Sequence, residues 1–276
     1  MLEARGIAHE VEGLADGVRI RVAPELAAAA REELARYAAE RLPAPTAAES
    51  QIVPQPGAPF AACVYAGVLL LIAWCAGRQL FDVDWLEAGD LERGALAPWR
   101  AVTALTLHLD PLHLIGNLLF GIGFGTLAGR LFGPGIAWLG IVLAASGANL
   151  IEMLIAPPGH RAVGASTAVF AALGMLTGFA WRRRLATRAR RAYRFGPLVA
   201  GIGLLALLGA GDEHVDVLGH VLGFAAGVLT GALESRRLPV SPPGQRLAGS
   251  LALAIVLAAW LAALFALPSS ARSAGP

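Results

Sequence analysis

Seven apolar segments, each close to the length that crosses a membrane, dominate the chain after residue 59 and constrain its fold most. They cover about residues 60–77, 112–130, 134–156, 165–181, 196–211, 217–233 and 247–267. A helix needs about 20 apolar residues to cross the hydrocarbon core of a bilayer. The composition agrees, because 56% of the residues are hydrophobic and only 15% are charged, against roughly 25% charged residues in soluble domains. We therefore predict an all-α polytopic membrane protein.

Before these segments, residues 1–42 have the charge and patterning of a small soluble α/β domain. Val18–Val22 alternates apolar residues with arginine, as a half-buried strand does, and Pro24–Leu42 has the pattern of an amphipathic helix with proline in its first turn. No apolar segment of the signal-peptide type precedes them, so we expect a cytosolic domain, whose partner the sequence does not name. Residues 43–59 contain five prolines and no periodicity, which predicts a linker.

Charged residues outside the spans predict the topology. Residues 78–109, between the first two spans, mix five acids with large apolar side chains, which favours a folded loop in the membrane interface. The loop after the fourth span, Arg182–Arg194, contains seven arginines and no acid, and the linker 234–246 adds three more. Such runs mark the cytoplasmic side. Binding of nucleic acid or anionic lipid is the alternative, but the position between two spans already explains the arginines, so we expect no nucleic-acid partner.

This topology starts the second, fourth and sixth spans on the outer side, and each carries polar residues in its first turns. On the second span, Asp110 is a predicted N-cap ahead of a proline, and His113 and Asn117 share one helix face. The fourth span opens with Ser166, and the sixth carries His220. A serine, two histidines and an asparagine are therefore expected at a similar depth, roughly 5–10 Å below the outer surface.

Each of these residues also has a purely structural interpretation. Serine is common on packed transmembrane faces. Glycines at every fourth position of the sixth span allow two helices to approach closely: Gly219, Gly223, Gly227 and Gly231. Histidines inside the membrane are rarer and usually mark a site or a water-filled cavity. The combination at matching depth favours a functional site.

The chemistry that these residues suit is acyl transfer. A serine hydroxyl becomes a nucleophile when a base takes its proton, and the imidazole of His220 can do so near neutral pH. The backbone N–H of Ser166, at the positive end of a helix, can donate to an oxyanion together with the side chains of Asn117 and His113. Metal-dependent hydrolysis fits less well, because the spans supply no third ligand at suitable spacing. Their one candidate acid, Glu152, is expected to reach the outer interface.

A family resemblance is carried by three segments: HLDPLHLIGN (His108–Asn117), GASTAVFAALG (Gly164–Gly174) and DVLGHVLGFAAG (Asp216–Gly227). With Pro98–Arg100, they resemble the signature segments of rhomboid intramembrane serine proteases in order, spacing and topology. The resemblance covers about residues 60–233 and implies a six-helix rhomboid-like core there. The span 247–267 is then an additional transmembrane helix, expected to be an appended anchor, and 268–276 is a tail.

The resemblance also implies roles for individual residues. Ser166 matches the nucleophile and His220 the general base of a catalytic dyad, in a water-filled cavity open to the outer side. The side chains of His113 and Asn117 match the oxyanion hole. Three supporting positions are matched as well: Gly164 two residues before the nucleophile, Phe170 as a ring packed against the base, and His108 as a histidine of structural role. No ATP, metal or organic cofactor is implied.

Two residues need separate interpretation. Thr167 follows the nucleophile where the family usually has glycine, and we expect its extra bulk to be tolerated. Asp216 precedes His220 by one turn, but its place at the start of the helix favours an N-cap over a catalytic acid.

The predicted function is an intramembrane serine endopeptidase that cleaves transmembrane segments of other membrane proteins within the lipid bilayer. The alternative is a rhomboid-like pseudoprotease that binds transmembrane helices without cleaving them, although such relatives usually lack the serine or the histidine. A small transporter or channel is disfavoured, because the unequal spans show no inverted repeat. The lack of a targeting segment and a composition with 22 basic residues, all arginine, predict the bacterial inner membrane, with a cytoplasmic N-terminus and a site that opens to the periplasm.

Overall fold

The chain divides into two compact units, Met1–Gln51 and Ile52–Pro276. The computed structural model describes residues 2–14, 17–40, 55–94, 97–185, 191–209, 216–234 and 240–267. Most of the predicted linker 43–59, the tail 268–276 and parts of both arginine-containing loops lie outside the described residues.

The N-terminal unit is a β-hairpin followed by a helix. Strands β1 (His9–Leu14) and β2 (Gly17–Val22) pair antiparallel. A short 3-10 turn, Pro24–Leu26, leads into α1 (Ala27–Glu40), and a small apolar core is built on Leu2, Ile7 and Ala30. The predicted strand and helix are confirmed. Strand β1 was not predicted, because its two large apolar residues, Val11 and Leu14, are three positions apart and do not alternate.

Helices build the second unit. Its elements in chain order are α2 (Ala58–Gly77), α3 (Trp85–Gly89), β3 (Leu91–Glu92), α4 (Arg100–Thr103), α5 (Pro111–Phe132), α6 (Pro134–Ile155), β4 (Arg161–Ala162), α7 (Ser166–Leu185), α8 (Arg191–Gly209), α9 (Val217–Glu234) and α10 (Pro242–Ala266). Within the described ranges, α2, α5, α6, α9 and α10 are long and apolar enough to cross a membrane. Helix α8 holds a shorter apolar stretch, Phe195–Leu207, and α7 ends in three arginines. The prediction of an all-α polytopic membrane protein with a small stranded N-terminal region is confirmed.

Helices α7 and α9 pack with almost no side chains between their backbones. A Cβ added to the facing glycines of α9 would lie 2.5 Å from the Thr167 carbonyl oxygen at Gly223, 2.1 Å from that of Ala171 at Gly227 and 2.0 Å from that of Met175 at Gly231. Only glycine permits this approach, which confirms the role predicted for these three positions. Residue numbers increase together along the contact, so the two helices are parallel and their first turns lie at the same end of the bundle.

The segment between α2 and α5 is folded, as predicted. Strand β3 pairs with β4, and the buried carboxylate of Asp90 accepts hydrogen bonds from Arg100 and Arg161. This carboxylate also raises the pKa of Arg161 above its usual value. Arg100 donates in addition to the carbonyl of Glu87 at 2.8 Å. These contacts tie the segment to the loop that leads into α7.

Helix α10 packs along α6 and the folded segment. The side chain of Gln245 accepts a hydrogen bond from the N–H of Ile136 and donates one to the carbonyl of Phe132, both at 3.0 Å. Toward the other end of the helix, Trp260 Nε1 donates to Thr106 Oγ1 at 3.0 Å. The helix predicted to be an appended anchor therefore makes specific polar contacts with the core.

Candidate active site

The first turn of α5 positions His113. The Oδ1 of Asp110 accepts a hydrogen bond from the backbone N–H of His113 at 2.8 Å, and Pro111 occupies the first helical position. The predicted N-cap is therefore confirmed. One turn later, Asn117 is 6% exposed. The two side chains share one face of α5, as their spacing predicted.

The side-chain amide of Asn117 is buried. Its Nδ2 has no hydrogen-bond acceptor among the described residues, while its backbone carbonyl accepts from the Tyr65 hydroxyl on α2 at 2.9 Å. Leaving a buried donor unsatisfied costs about 1–3 kcal/mol. An oxyanion hole has this property before the oxyanion forms, since its donors are aimed at a charge that is not yet present.

Gly164 lies where a side chain would fill the site. Its φ is +140°, and an added Cβ would lie 2.7 Å from His113 Nε2 and 3.5 Å from Ser166 Oγ. Any larger residue would be strained there and would press on the histidine ring. The N–H of Gly164 donates to the Ala104 carbonyl at 2.9 Å, which anchors this loop. The imidazole of His113 and the hydroxyl of Ser166 therefore border the same small space.

His108 lies just before α5 and contacts the residue that precedes Ser166. Its ring lies 5.1 Å from that of His113. Burial and, after it, the neighbouring His113 lower the pKa of His108 to about 4, so the ring is neutral at pH 7. Its Nε2 accepts a long hydrogen bond of 3.4 Å from the N–H of Ala165. This contact is consistent with a structural role.

His220 lies in the first turn of α9 and is 6% exposed. Its ring packs against Phe170, with 4.5 Å between the centroids and 41° between the planes. Phe170 follows Ser166 by about one turn of α7. The start of α9 is capped by Asp216, whose Oδ1 accepts from the N–H of Gly219 at 2.9 Å, as predicted. Parallel packing of α7 on α9 thus brings together the two turns that carry Ser166 and His220.

Thr167 takes part in the contact between α7 and α9. It is 3% exposed, and a Cβ added at Gly223 would lie 2.9 Å from its Cγ2 methyl. A small cleft with a volume of about 10 Å³ is lined by Gly164, Ser166 and Thr167, with Asp216 also at its wall. The bulk of threonine is therefore accommodated where the facing residue of α9 has no side chain.

Sequence patterns did not identify two polar residues near this cleft, Asn149 and His160, and they placed a third, Glu152, in the wrong environment. Glu152 is fully buried, with its Oε1 2.8 Å from His160 Nε2, so the expectation that it reaches the outer interface was wrong. The connection after α6 brings His160 back against that carboxylate. Asn149 donates to the Ala101 carbonyl at 2.9 Å and holds α4 against α6. A polar residue inside an apolar helix could have revealed Asn149 and Glu152, whereas His160 lies outside the spans and carries no such signal.

The arrangement suits acyl transfer at one end of the bundle. A hydroxyl lies at the start of α7, an imidazole lies on the adjoining helix, and His113 of α5 borders the space beside Ser166. Within the described residues, the group of three potential metal ligands is Glu152, His160 and Asp216, and it includes neither Ser166 nor His220.

Comparison with known proteins finds one family model and several relatives, all named for the rhomboid family. A sequence model of the Rhomboid domain matches residues 96–237. The chain is 34% identical over 133 residues to Rhomboid-like protease 3 of Toxoplasma gondii, and this match covers 47% of this chain and 49% of that protein. It is 31% identical over 135 residues to Rhomboid protease GluP of Bacillus subtilis (strain 168), a match that covers 49% of this chain and 25% of that protein. It is also 31% identical over 135 residues to RHOMBOID-like protein 1 of Arabidopsis thaliana, a match that covers 48% of this chain and 33% of that protein. The chain thus matches about half the length, or less, of these relatives.

Proposed function

The chain belongs to the rhomboid family, and from this premise we propose that it is an intramembrane serine endopeptidase that cleaves transmembrane segments of membrane proteins. Relatives whose names describe them as proteases support a hydrolase. The observation that carries the proposal is the contact between the His220 ring and Phe170, one turn after Ser166 on α7. This contact supports a nucleophile and a base held on two tightly packed helices.

In the first half of the reaction, His220 takes the proton of the Ser166 hydroxyl as Oγ attacks the scissile carbonyl carbon. The carbonyl oxygen becomes an oxyanion, which accepts hydrogen bonds from the Ser166 backbone N–H and from the side chains of Asn117 and His113. The protonated His220 then gives its proton to the leaving nitrogen. The C–N bond breaks, and an ester between Ser166 and the substrate remains.

In the second half, His220 takes a proton from a water molecule, whose oxygen attacks the ester carbonyl. The same donors stabilise the second oxyanion. The bond to Oγ breaks, the Ser166 hydroxyl regains its proton, and a new carboxyl end is released. No step requires a metal or an organic cofactor.

The family resemblance implies a substrate class, which the shape of the site supports. Gly164 leaves a narrow space between His113 and Ser166, which supports an extended and locally unwound peptide rather than an intact helix. A helical peptide bond is covered by its own side chains and held by its hydrogen bonds. We therefore expect cleavage at transmembrane segments with small residues and weak helix propensity near the scissile bond.

Alanine replacement of the two proposed catalytic residues tests the function. Purified wild-type protein, reconstituted in lipid vesicles with a transmembrane test substrate, should cleave it, and Ser166→Ala and His220→Ala should each abolish cleavage. Ser146→Ala, on α6, is the matched serine control and should retain activity. Cleavage by the Ser166→Ala protein would overturn the proposal.

A fluorophosphonate probe separates the enzyme from a pseudoprotease. The probe reacts with an activated serine, so labelling should require both Ser166 and His220 and should survive in Ser146→Ala. A protein that binds transmembrane helices without labelling or cleavage would instead be the pseudoprotease alternative.

The proposal also includes the substrate segments in the lipid bilayer and the orientation of the protein in the membrane. We expect partners to be single transmembrane segments in the surrounding bilayer, with the site open to the outer side and the N-terminal unit in the cytoplasm. The matched relatives come from bacteria and eukaryotes, and the composition, in which all 22 basic residues are arginine, favours the bacterial inner membrane. Protease accessibility of the N-terminal unit in sealed inner-membrane vesicles tests the orientation.

A further inference from the structure

A group of three ionisable side chains lies beside the candidate active site. Glu152 is near the end of α6, His160 is in the connection that follows, and Asp216 immediately precedes α9. His160 Nε2 is 2.8 Å from Glu152 Oε1 and 3.9 Å from Asp216 Oδ1. One candidate ligand atom from each residue lies within 4.8 Å of the others.

The second carboxylate oxygens of this group, Glu152 Oε2 and Asp216 Oδ2, face each other. Glu152 is fully buried, and its Oε2 has no hydrogen-bond donor among the described residues. A Cβ added at Gly219 would lie 2.2 Å from Asp216 Oδ2 and 2.9 Å from Glu152 Oε2, so both oxygens point into one space that has no side chain. Asp216 Oδ1 is already occupied by the Gly219 N–H. Glu152 is fully buried and the Asp216 side chain is only 17% exposed, so two carboxylate oxygens this close together require a positive charge or a proton.

We infer that Glu152, His160 and Asp216 form a binding site for a divalent transition metal of the Zn²⁺ type. Imidazole with carboxylates is a donor set that suits zinc, whereas Ca²⁺ and Mg²⁺ prefer six or more oxygen ligands. Tetrahedral zinc with bonds near 2.0 Å has its ligand atoms about 3.3 Å apart, so a shift of about 1 Å closes the group around an ion. The dication balances the two carboxylates, and water takes the fourth position.

The site links three parts of the fold. Its ligands come from the end of α6, from the connection before β4 and from the residue that caps α9. Asp216 lies one turn before His220, so a bound metal would fix the start of α9 relative to α6. The ion takes no part in the serine chemistry, and the inference stands independently of the proposed function.

Metal uptake by the purified full-length chain tests the inference. The protein is stripped with a chelator in detergent and dialysed against Zn²⁺, and the same material is titrated with Co²⁺, whose visible absorption reports four- or five-coordination. We expect one Zn²⁺ per chain and a Co²⁺ band that Zn²⁺ displaces. Asp216→Asn and His160→Ala should each weaken binding at least tenfold. Asp216→Asn keeps an acceptor for the Gly219 N–H, so it preserves the helix cap.

His9→Ala, in the N-terminal unit, is the matched histidine control and should bind metal as wild type does. Absence of stoichiometric uptake would overturn the inference. Uptake that His160→Ala and Asp216→Asn leave unchanged would also overturn it, because the metal would then lie elsewhere. An infrared band of a protonated carboxyl in metal-free protein, removed by Glu152→Gln and unaffected by Zn²⁺, would show that the two carboxyls share a proton instead.

Discussion

Replacing Asn117 by leucine separates a catalytic amide from a structural one. The Asn117 side chain is buried, and no described residue accepts a hydrogen bond from its Nδ2. Leucine has a similar volume and removes a donor whose desolvation costs about 1–3 kcal/mol. We therefore expect the thermal midpoint of Asn117→Leu to equal or exceed that of the wild type.

Activity should change in the opposite direction. Loss of one oxyanion donor lowers kcat by about 10²- to 10³-fold, or about 2.7–4 kcal/mol of transition-state stabilisation. KM should change little, because the ground-state carbonyl carries no full charge to be stabilised. The combination of unchanged or raised stability with a large loss in kcat is specific to a donor that serves only the reaction.

The assay uses vesicles in which the substrate mole fraction is varied, so that kcat and KM are obtained separately, together with a thermal unfolding curve. Asn149→Leu is the matched control. Asn149 Nδ2 donates to the Ala101 carbonyl at 2.9 Å, so this variant should lose stability by about 1–3 kcal/mol, since it leaves a buried carbonyl unpaired. Wild-type kcat in Asn117→Leu, or a loss of stability like that of Asn149→Leu, would refute the assignment of Asn117 to an oxyanion hole.

Three further predictions concern packing and pH. Gly227→Ala places a Cβ 2.1 Å from the Ala171 carbonyl oxygen and should lower both the thermal midpoint and cleavage, whereas Gly123→Ala, which meets nothing within 4 Å, should keep both. Trp260→Phe removes the hydrogen bond to Thr106 and should cost about 0.5–1.5 kcal/mol of stability, measured by thermal unfolding; an unchanged midpoint would show that this bond is not stabilising. The pKa of His108 falls from 6.5 to about 4 on folding, so the unfolded chain binds the extra proton and stability is lost as the pH falls through this window. This loss should be on the order of 3 kcal/mol in the wild type and absent in His108→Gln, so parallel pH profiles of the two midpoints would contradict it.

The apolar segments and the caps were predictable because each depends on local chemistry. The long helices follow from apolar runs near the spanning length, and the caps at Asp110 and Asp216 follow from a short acceptor side chain at a helix start. The glycines of α9 were predictable for a different reason. Their spacing places them on one helix face, and a helix face of glycines indicates that the backbone of another helix packs closely against it.

Contacts that depend on how distant elements meet could not be predicted in this way. His160 lies in a polar connection, and nothing in its local sequence indicates that the chain turns back onto Glu152. The same holds for Gln245, one polar residue near the start of α10, whose partners lie more than 100 residues earlier in the chain. Matching depth on two spans paired Ser166 with His220, and the resemblance agreed, but the contact of the His220 ring with Phe170 depends on how α7 and α9 pack.

The hydrogen bonds of the Gln245 side chain determine when the turn between α5 and α6 is fully formed during synthesis. It supplies the hydrogen-bond partners of the Ile136 N–H and the Phe132 carbonyl, two backbone groups at the turn between α5 and α6. Backbone groups at membrane depth must find partners within the protein. Because Gln245 lies more than 100 residues after its partners, this turn lacks these two side-chain hydrogen bonds until α10 has been synthesised. Truncation before α10 should therefore weaken a junction that lies more than 100 residues earlier in the chain.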